Sequence, residues 1–513
     1  MNVVDGFLAH ARVSPDREAL VLGRERRTFG QLRDRAVAVA GALRSELRPE
    51  HHETARIALL LGNRPEFLEI FCGGAVAGVP VMVFDPAWSA TELSAILRDT
   101  PPARLFCTPG SPVGDAPPGA VVEVPGPDFA RWRDLPRTAS LPEVPEVPEV
   151  PEVPEVPDSA PFYVAFTSGS TGRPKGAVRS HRSWLRTFDR SRAEFGIDDT
   201  DHVLLPGSLG HSHFLYGALH ALHVGATAHL MPKFDAAAVF DQLDRHPITR
   251  LYLVPTMFEA LLEHASHHPG HVFPGVRSLL SVGAKWSPAR RAQAVTLFPG
   301  ADAVEFYGAT ELSFVSVLHG DRGGPLDSVG RPVDGVEVSV RSPDGGEVAV
   351  GEVGQVHVRS DMLFSGYLSE QDSGGPDADG WFTVADVGRL DEQGYLHLVG
   401  RARGMLISGG VNVYPEEVEA ALARLDEVAE VAVVGLPDER WGDLVCAAVR
   451  WRDGARLTLA DVRDRASAHL SRQKCPRRLV ELTAMPHTAS GKVDRRRVRE
   501  LVRANAPDVR EVR

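Results

Sequence analysis

The stretch Arg56–Asp85, RIALLLGNRPEFLEIFCGGAVAGVPVMVFD, decides the fold. It reads as an apolar strand, a helix beginning near Pro65 and a second apolar strand, which together make a β-α-β unit. Strands that are apolar on both faces call for a parallel sheet covered by helices. Working outward, further strands of this kind follow at Leu251–Val254 and Ser278–Val282, so the expected body is a layered α/β domain. From Asp327 the pattern changes to short alternating strands with Gly and Pro turns, at Val336–Val340, Gly354–Val358 and Gly394–Val399. A β-rich subdomain is expected over about 327–402. After Arg401, a helix Pro415–Leu425 and strands Val428–Val434 and Leu444–Val449 predict a compact α+β ending. The boundary is placed near Arg403, giving an N-terminal domain 1–402 and a C-terminal domain 403–513.

With 513 residues the chain is too long for one ordinary core, and 43% apolar with 24% charged residues is the balance of a soluble globular protein. A formal net charge of -12 argues against a general nucleic-acid surface. Arg495, Arg496, Arg497, Arg499, Arg503 and Arg510 alternate with acids and apolar residues, which predicts a solvated terminal helix. Cys72, Cys107, Cys446 and Cys475 sit far apart without metal-ligand spacing, as suits a reducing cytoplasm. The first residues combine no basic stretch with an apolar one, and no run of 18 apolar residues occurs, so neither secretion nor membrane spanning is expected. His264, His267 and His268 read as a solvated helix end. Pro142–Val156 is five copies of Pro-Glu-Val, an extended surface linker over 142–157.

Chemistry concentrates in Thr167-Ser168-Gly169-Ser170-Thr171-Gly-Arg-Pro-Lys175-Gly176, just after the apolar strand Phe162–Phe166. Phosphate is the natural ligand. Glycines let amides approach an anion, hydroxyls donate, and Lys175 adds a mobile positive charge. It is not a Walker loop, because Lys175 is followed by Gly176 rather than Ser or Thr.

These ten residues resemble the phosphate loop of the adenylate-forming superfamily, which includes acyl-CoA synthetases, peptide-synthetase adenylation domains and beetle luciferases. Tyr307-Gly308-Ala-Thr310-Glu311 resembles its Tyr-Gly-x-Thr-Glu element. The resemblance places Tyr307 against adenine, Thr310 near the α-phosphate and Glu311 on Mg2+, a division that suits the hardness of a carboxylate oxygen. It also puts Asp386 on the ribose hydroxyls, Arg401 on ribose and phosphate, and Arg403 at the hinge of a mobile C-terminal domain. Ser408-Gly409-Gly410 is similar to the hairpin bordering the pantetheine tunnel of coenzyme A. Lys492, in Pro486-His-Thr-Ala-Ser-Gly-Lys492, is similar to the lysine that closes over the carboxylate and α-phosphate. The implied fold is a multi-layer N-terminal domain with a β-rich subdomain, followed by the small mobile C-terminal domain.

The acyl pocket is expected from His211, His213 and Phe214 and from Gly283, Ala284, Lys285 and Trp286. Which of His211 and His213 takes the family position stays open. No Phe-Asp-x-Ser element appears there, so a hydrophobic or cyclic carboxylic acid is expected in preference to an amino acid. Two departures bear on mechanism: Ala385 replaces the usual glycine before Asp386, and Gly404 replaces a charged residue after the hinge. The implied reaction uses ATP, Mg2+ and coenzyme A to form an acyl-adenylate and then a thioester. Thioesterification alone, or loading of a carrier protein, would use the same motifs. A luciferase-like oxidoreductase and a non-catalytic nucleotide-binding scaffold are the rival classes.

Overall fold

The computed structural model of the chain describes residues 1–47, 55–86, 88, 90–134, 156–168, 174–282, 286, 288–369, 374–401, 404–408, 411–438, 441–452, 454–470, 472, 474–488 and 491–512. Two compact units emerge: Met1–Gly324 with Gly330–Glu337 and Val358–Phe382, and Pro325–Val329 with Val338–His357 and Thr383–Arg513. Nearly all of the Pro-Glu-Val run lies outside the described residues.

In the first unit, the β-α-β segment is strand Ile57–Leu60, helix Pro65–Ala77 and strand Val81–Val83, with Ile57 opposite Val81 in parallel register. Pro65 sits in the first turn, where a missing amide costs nothing, and Gly78 ends the helix at φ 75. Side chains at Gly73 and Gly74 would strike Val39 and Val81, so those glycines let the helix pack closely on both neighbours. A seven-stranded sheet is built on this core, in the order Gly366–Tyr367, Pro174–Ser180, Pro161–Ser168, Val81–Val83, Ile57–Leu60, Arg104–Cys107, Val121–Glu123. Within it, Pro161–Ser168 and Pro174–Ser180 form an antiparallel hairpin that sets Thr167 opposite Lys175.

A nine-stranded sheet completes the unit. Its strands Arg250–Leu253, Ser278–Val282 and Asp302–Ala309 run parallel, and Asp302–Ala309 turns back antiparallel into Ser313–Leu318. The turn between them carries Thr310 and Glu311. All four cysteines are buried, and none forms a disulfide among the described residues. Among the described residues, no helix is long and apolar enough to cross a membrane.

In the second unit, strand Asp386–Leu390 pairs antiparallel with Leu396–Arg401, as the alternating pattern predicts. Farther on, helix Pro415–Leu422 stops three residues short of the expected end, with Ala423 as its cap. Strands Val428–Asp438 and Gly442–Trp451 form a hairpin longer than expected. Pro437 lies near the hairpin tip, where a missing amide is tolerated.

The expectation of a solvated arginine helix needs correction. The helix spans only Arg495–Arg503, and Arg510 belongs to strand Val509–Val512, paired with Arg478–Leu482. Arg495 is half-exposed but tied down: its Nη1 donates to Glu416 at 2.7 Å and its Nε to Glu419 at 2.8 Å. Its acid partners come from a distant helix, so the local alternation of charges misled. Arg496, Arg497, Arg499 and Arg503 are exposed as expected, and so are His267 and His268, whereas His264 is half-buried with its ring 4.7 Å from that of Phe240.

Candidate functional site

In the first unit a carboxylate sits at the centre of a ring of polar groups. Glu311 is only 7% exposed. Its Oε1 accepts from Thr167 Oγ1 at 3.2 Å and from the Tyr367 hydroxyl at 3.0 Å. Its Oε2 takes no hydrogen bond, and no cationic side chain pairs with Glu311, among the described residues. Lys175 Nζ lies 5.1 Å from the centre of the Tyr367 ring. Buried charge is costly unless it is neutralised, and hydroxyl donors leave the carboxylate's charge in place. One open oxygen on a hydroxyl-oriented carboxylate is the donor chemistry that a hard divalent cation requires, so the residues present fit Mg2+.

Beside it, Thr310 Oγ1 is 3.4 Å from Ser212 Oγ, which is itself 3.1 Å from the Tyr163 hydroxyl. Burial pushes the Tyr163 phenol up to about 12, so it stays protonated. The Thr310 carbonyl accepts from Arg179 Nη1 at 2.7 Å. Tyr307 lies on strand Asp302–Ala309, largely buried. At Gly308 the strand shifts register, and any side chain there would collide with the Ser313 carbonyl. Glycine is demanded by that close approach.

The two histidines of the expected acyl pocket differ. His211 caps helix Ser212–Val224, with its Nε2 3.8 Å from Asp85 Oδ2. His213 donates from Nε2 to the Leu253 carbonyl at 3.1 Å and is flanked by the Phe214, Tyr252 and Phe306 rings. That enclosure lowers its pKa to about 3, so the ring is neutral. Phe214 and Trp286 are 2% and 3% exposed, so both are packed into the core. Trp286 stacks on Phe258 at 4.2 Å, and its amide donates to Glu305 at 2.9 Å.

In the second unit, Asp386 is 6% exposed and accepts from Arg401 Nε at 2.9 Å, its cross-strand partner. Ala385, just before it, has φ 64, in the left-handed region where glycine is at ease. Lys492 is carried on a tight turn in which the Thr488 amide donates to the Lys492 carbonyl at 2.7 Å. Its side chain is open to solvent, but crowding by protein first and Arg401 second lower its pKa; Asp386 opposes them. Ser408 is buried and its hydroxyl has no hydrogen-bond partner among the described residues.

Thr167, Lys175, Thr310 and Glu311 thus gather in one unit, and Asp386, Arg401 and Lys492 in the other. Gly169, Ser170, Thr171, Gly283, Ala284, Lys285, Arg403, Gly409 and Gly410 lie outside the described residues, and Ser168 is described only as the end of its strand. Tyr367, Ser212 and Arg179 were missed by sequence reasoning. Tyr367 reaches Glu311 through the pairing of Gly366 with Val178, which leaves no local signal. Arg179 left one: a charge in a strand whose neighbours Ala177 and Val178 are apolar.

Comparison with known proteins identifies the relatives of the chain. The family model described as AMP-binding enzyme matches residues 7–368, and the one described as AMP-binding enzyme C-terminal domain matches residues 417–492. The uncharacterized acyl–CoA ligase YhfT of Bacillus subtilis is 34% identical over 98% of both chains. The indoleacetate–CoA ligase of Aromatoleum aromaticum is 31% identical, again over 98% of both. Among solved structures, the amide bond synthetase McbA of Marinactinospora thermotolerans superposes with a TM-score of 0.84 at 28% identity, covering 97% of this chain and 99% of that one. The chain therefore belongs to the AMP-binding enzyme family, the adenylate-forming superfamily, and is an AMP-forming acid–CoA ligase with the family's large N-terminal and small C-terminal domains.

Proposed function

We propose that this ligase activates an apolar aromatic or cyclic carboxylic acid, with Mg2+ held at Glu311, and passes the acyl group from its adenylate to coenzyme A. The observation that carries the reading is the Glu311 carboxylate, buried and oriented by the Thr167 and Tyr367 hydroxyls, with its other oxygen free of hydrogen bonds among the described residues and Lys175 over the Tyr367 ring. Bound there, the cation would neutralise phosphate charge. Thr167 and Lys175, with Ser168, Gly169, Ser170 and Thr171, hold the phosphates. The Thr310 hydroxyl donates to the α-phosphate as charge grows on it during carboxylate attack. Tyr307 and Gly308 line the adenine, and Asp386 accepts the ribose hydroxyls with Arg401 fixing its carboxylate.

Lys492 lowers the repulsion between the acid's carboxylate and the α-phosphate, a contribution greatest in the transition state. Pyrophosphate leaves. With Arg403 as the hinge of the domain 403–513, the Ser408-Gly409-Gly410 segment serves the second half-reaction, in which the coenzyme A thiolate attacks the acyl carbonyl and AMP departs. The acid's class rests on the missing Phe-Asp-x-Ser element, on the neutral His213 among aromatic rings, and on the likeness to an indoleacetate ligase.

The test is incubation of the protein with ATP, Mg2+, coenzyme A and a panel of acids, with adenylates and thioesters read by mass. Thioesters of aromatic or cyclic acids, with AMP and pyrophosphate, are expected. Reaction only with amino acids or acetate overturns the substrate class, and a carrier protein that outcompetes coenzyme A overturns the acceptor.

A further inference from the structure

Strand Pro174–Ser180 carries a second cation that the reaction does not touch. Arg179 lies four residues beyond Lys175, on the same face of the strand, and is 1% exposed. Its Nη1 donates to the Thr310 carbonyl at 2.7 Å, and its Nη2 to the Met362 carbonyl at 2.6 Å and to Ser313 Oγ at 2.5 Å. All three partners are neutral. Among the described residues Arg179 has no carboxylate within ion-pair distance, and its buried Nε makes no hydrogen bond. Burial pushes its pKa down to about 10, which still leaves it charged, and Glu311 is the largest opposing influence, acting through space. If only packing mattered, an apolar side chain would fill this position at lower cost than an unpaired buried charge.

The bonded groups bracket the catalytic pair. Thr310 and Glu311 lie in the turn, and Ser313, two residues on, has φ 61, which a residue other than glycine adopts only when its surroundings hold it there. Three groups do so: Ser313 Oγ receives Arg179 Nη2, lies 3.1 Å from Thr187 Oγ1 and is 3.1 Å from the Met362 carbonyl. The Glu311 carbonyl is tied in turn by the Phe364 amide at 2.9 Å.

We propose that Arg179 is a positioning residue for adenylate formation: it clamps the Thr310–Ser313 turn, so that the Thr310 hydroxyl and the Glu311 carboxylate keep a fixed aim, and it supplies a fixed positive charge behind them. The proposal rests on the ligase reading of the same site. A clamp of this kind acts on kcat more than on KM, because the aimed groups are used fully only as charge develops on the α-phosphate.

The experiment is ATP–pyrophosphate exchange on wild type, Arg179→Met, Arg179→Lys and Ser313→Ala, each normalised to its folded fraction from thermal unfolding. Folded Arg179→Met should lose about 10- to 100-fold in exchange kcat with less than about threefold change in the KM for ATP. Arg179→Lys, which keeps the charge but not the fork, should recover part of the rate. Ser313→Ala should lose kcat in the same direction by a smaller factor, and it decides the matter if Arg179→Met does not fold. Wild-type kcat in folded Arg179→Met overturns the proposal, as does wild-type kcat in Ser313→Ala where Arg179→Met fails to fold. So does a loss that vanishes once corrected for folded fraction. If wild type exchanges with no acid in the panel, the ligase reading falls and takes this one with it; if wild type exchanges and the variants equal it, this one alone falls.

Discussion

Glu311 and Asp386 are two carboxylates of nearly equal burial, 7% and 6% exposed, in opposite settings. Glu311 is oriented by two neutral hydroxyls and pairs with no cation among the described residues, whereas Asp386 lies against the Arg401 guanidinium at 2.9 Å. Hydroxyl donors fix the direction of a carboxylate and leave its charge available to an incoming ion. A guanidinium neutralises the charge but leaves lone pairs that can still accept from neutral hydroxyls. The first setting suits a divalent cation and the second a ribose. Two buried acids of the same charge are thereby suited to different ligands by their donors alone.

The largest effect is expected at Lys492. Lys492→Ala should lower ATP–pyrophosphate exchange by about 1000-fold, as loss of a charge-stabilising donor does, while thioester formation from a supplied acyl-adenylate continues. Equal loss of both half-reactions would remove Lys492 from the adenylation step. Wild type should also lose exchange activity as pH rises through a point below the usual lysine range, because the lowered ammonium sheds its proton early. Next comes the pair that contrasts the carboxylates directly. Glu311→Gln should cost about 100-fold in adenylation and raise the Mg2+ needed for half-maximal rate. Asp386→Asn should cost about tenfold, mainly in the KM for ATP, with Mg2+ dependence unchanged. If the two variants shift Mg2+ dependence equally, the contrast between the settings is broken.

Legibility in the sequence followed the range of the interactions. Arg56–Asp85 announced its β-α-β unit because strand, helix and strand are each set by local apolar runs, with Pro65 and Gly78 at the helix ends. Thr167 and Lys175 could be read together because one hairpin sets them face to face. Tyr367 could not: an unremarkable Ser-Gly-Tyr acquires its role only when Gly366 pairs with Val178. Trp286 shows the converse. Expected from its motif at the acyl pocket, it is packed into the core by Phe258 and Glu305, both distant in sequence. Arg495 misled, since its acids are on another helix.

The smallest expected effect bears on the backbone beside each carboxylate. Of the three non-glycine residues with positive φ among those described, Ser313 follows Glu311 by two positions at φ 61 and Ala385 precedes Asp386 at φ 64. The strain is similar but the support is not. Ser313 is held through its hydroxyl by Arg179, Thr187 and Met362, whereas Ala385 has a methyl group and one backbone tie, its amide donating to Thr383 Oγ1 at 2.9 Å. A left-handed alanine costs about 1–2 kcal/mol in the folded state, and glycine returns about 0.5–1 kcal/mol of that through its freer unfolded chain. Ala385→Gly should therefore stabilise by about 0.5–1 kcal/mol, seen as a higher urea midpoint, with little change in the KM for ATP. Ser313→Gly relieves the same strain but cuts three hydroxyl contacts, so it should destabilise. If Ser313→Gly raised the midpoint as Ala385→Gly does, the hydroxyl network around Ser313 would carry no weight, and the two carboxylate settings would differ only in their direct donors.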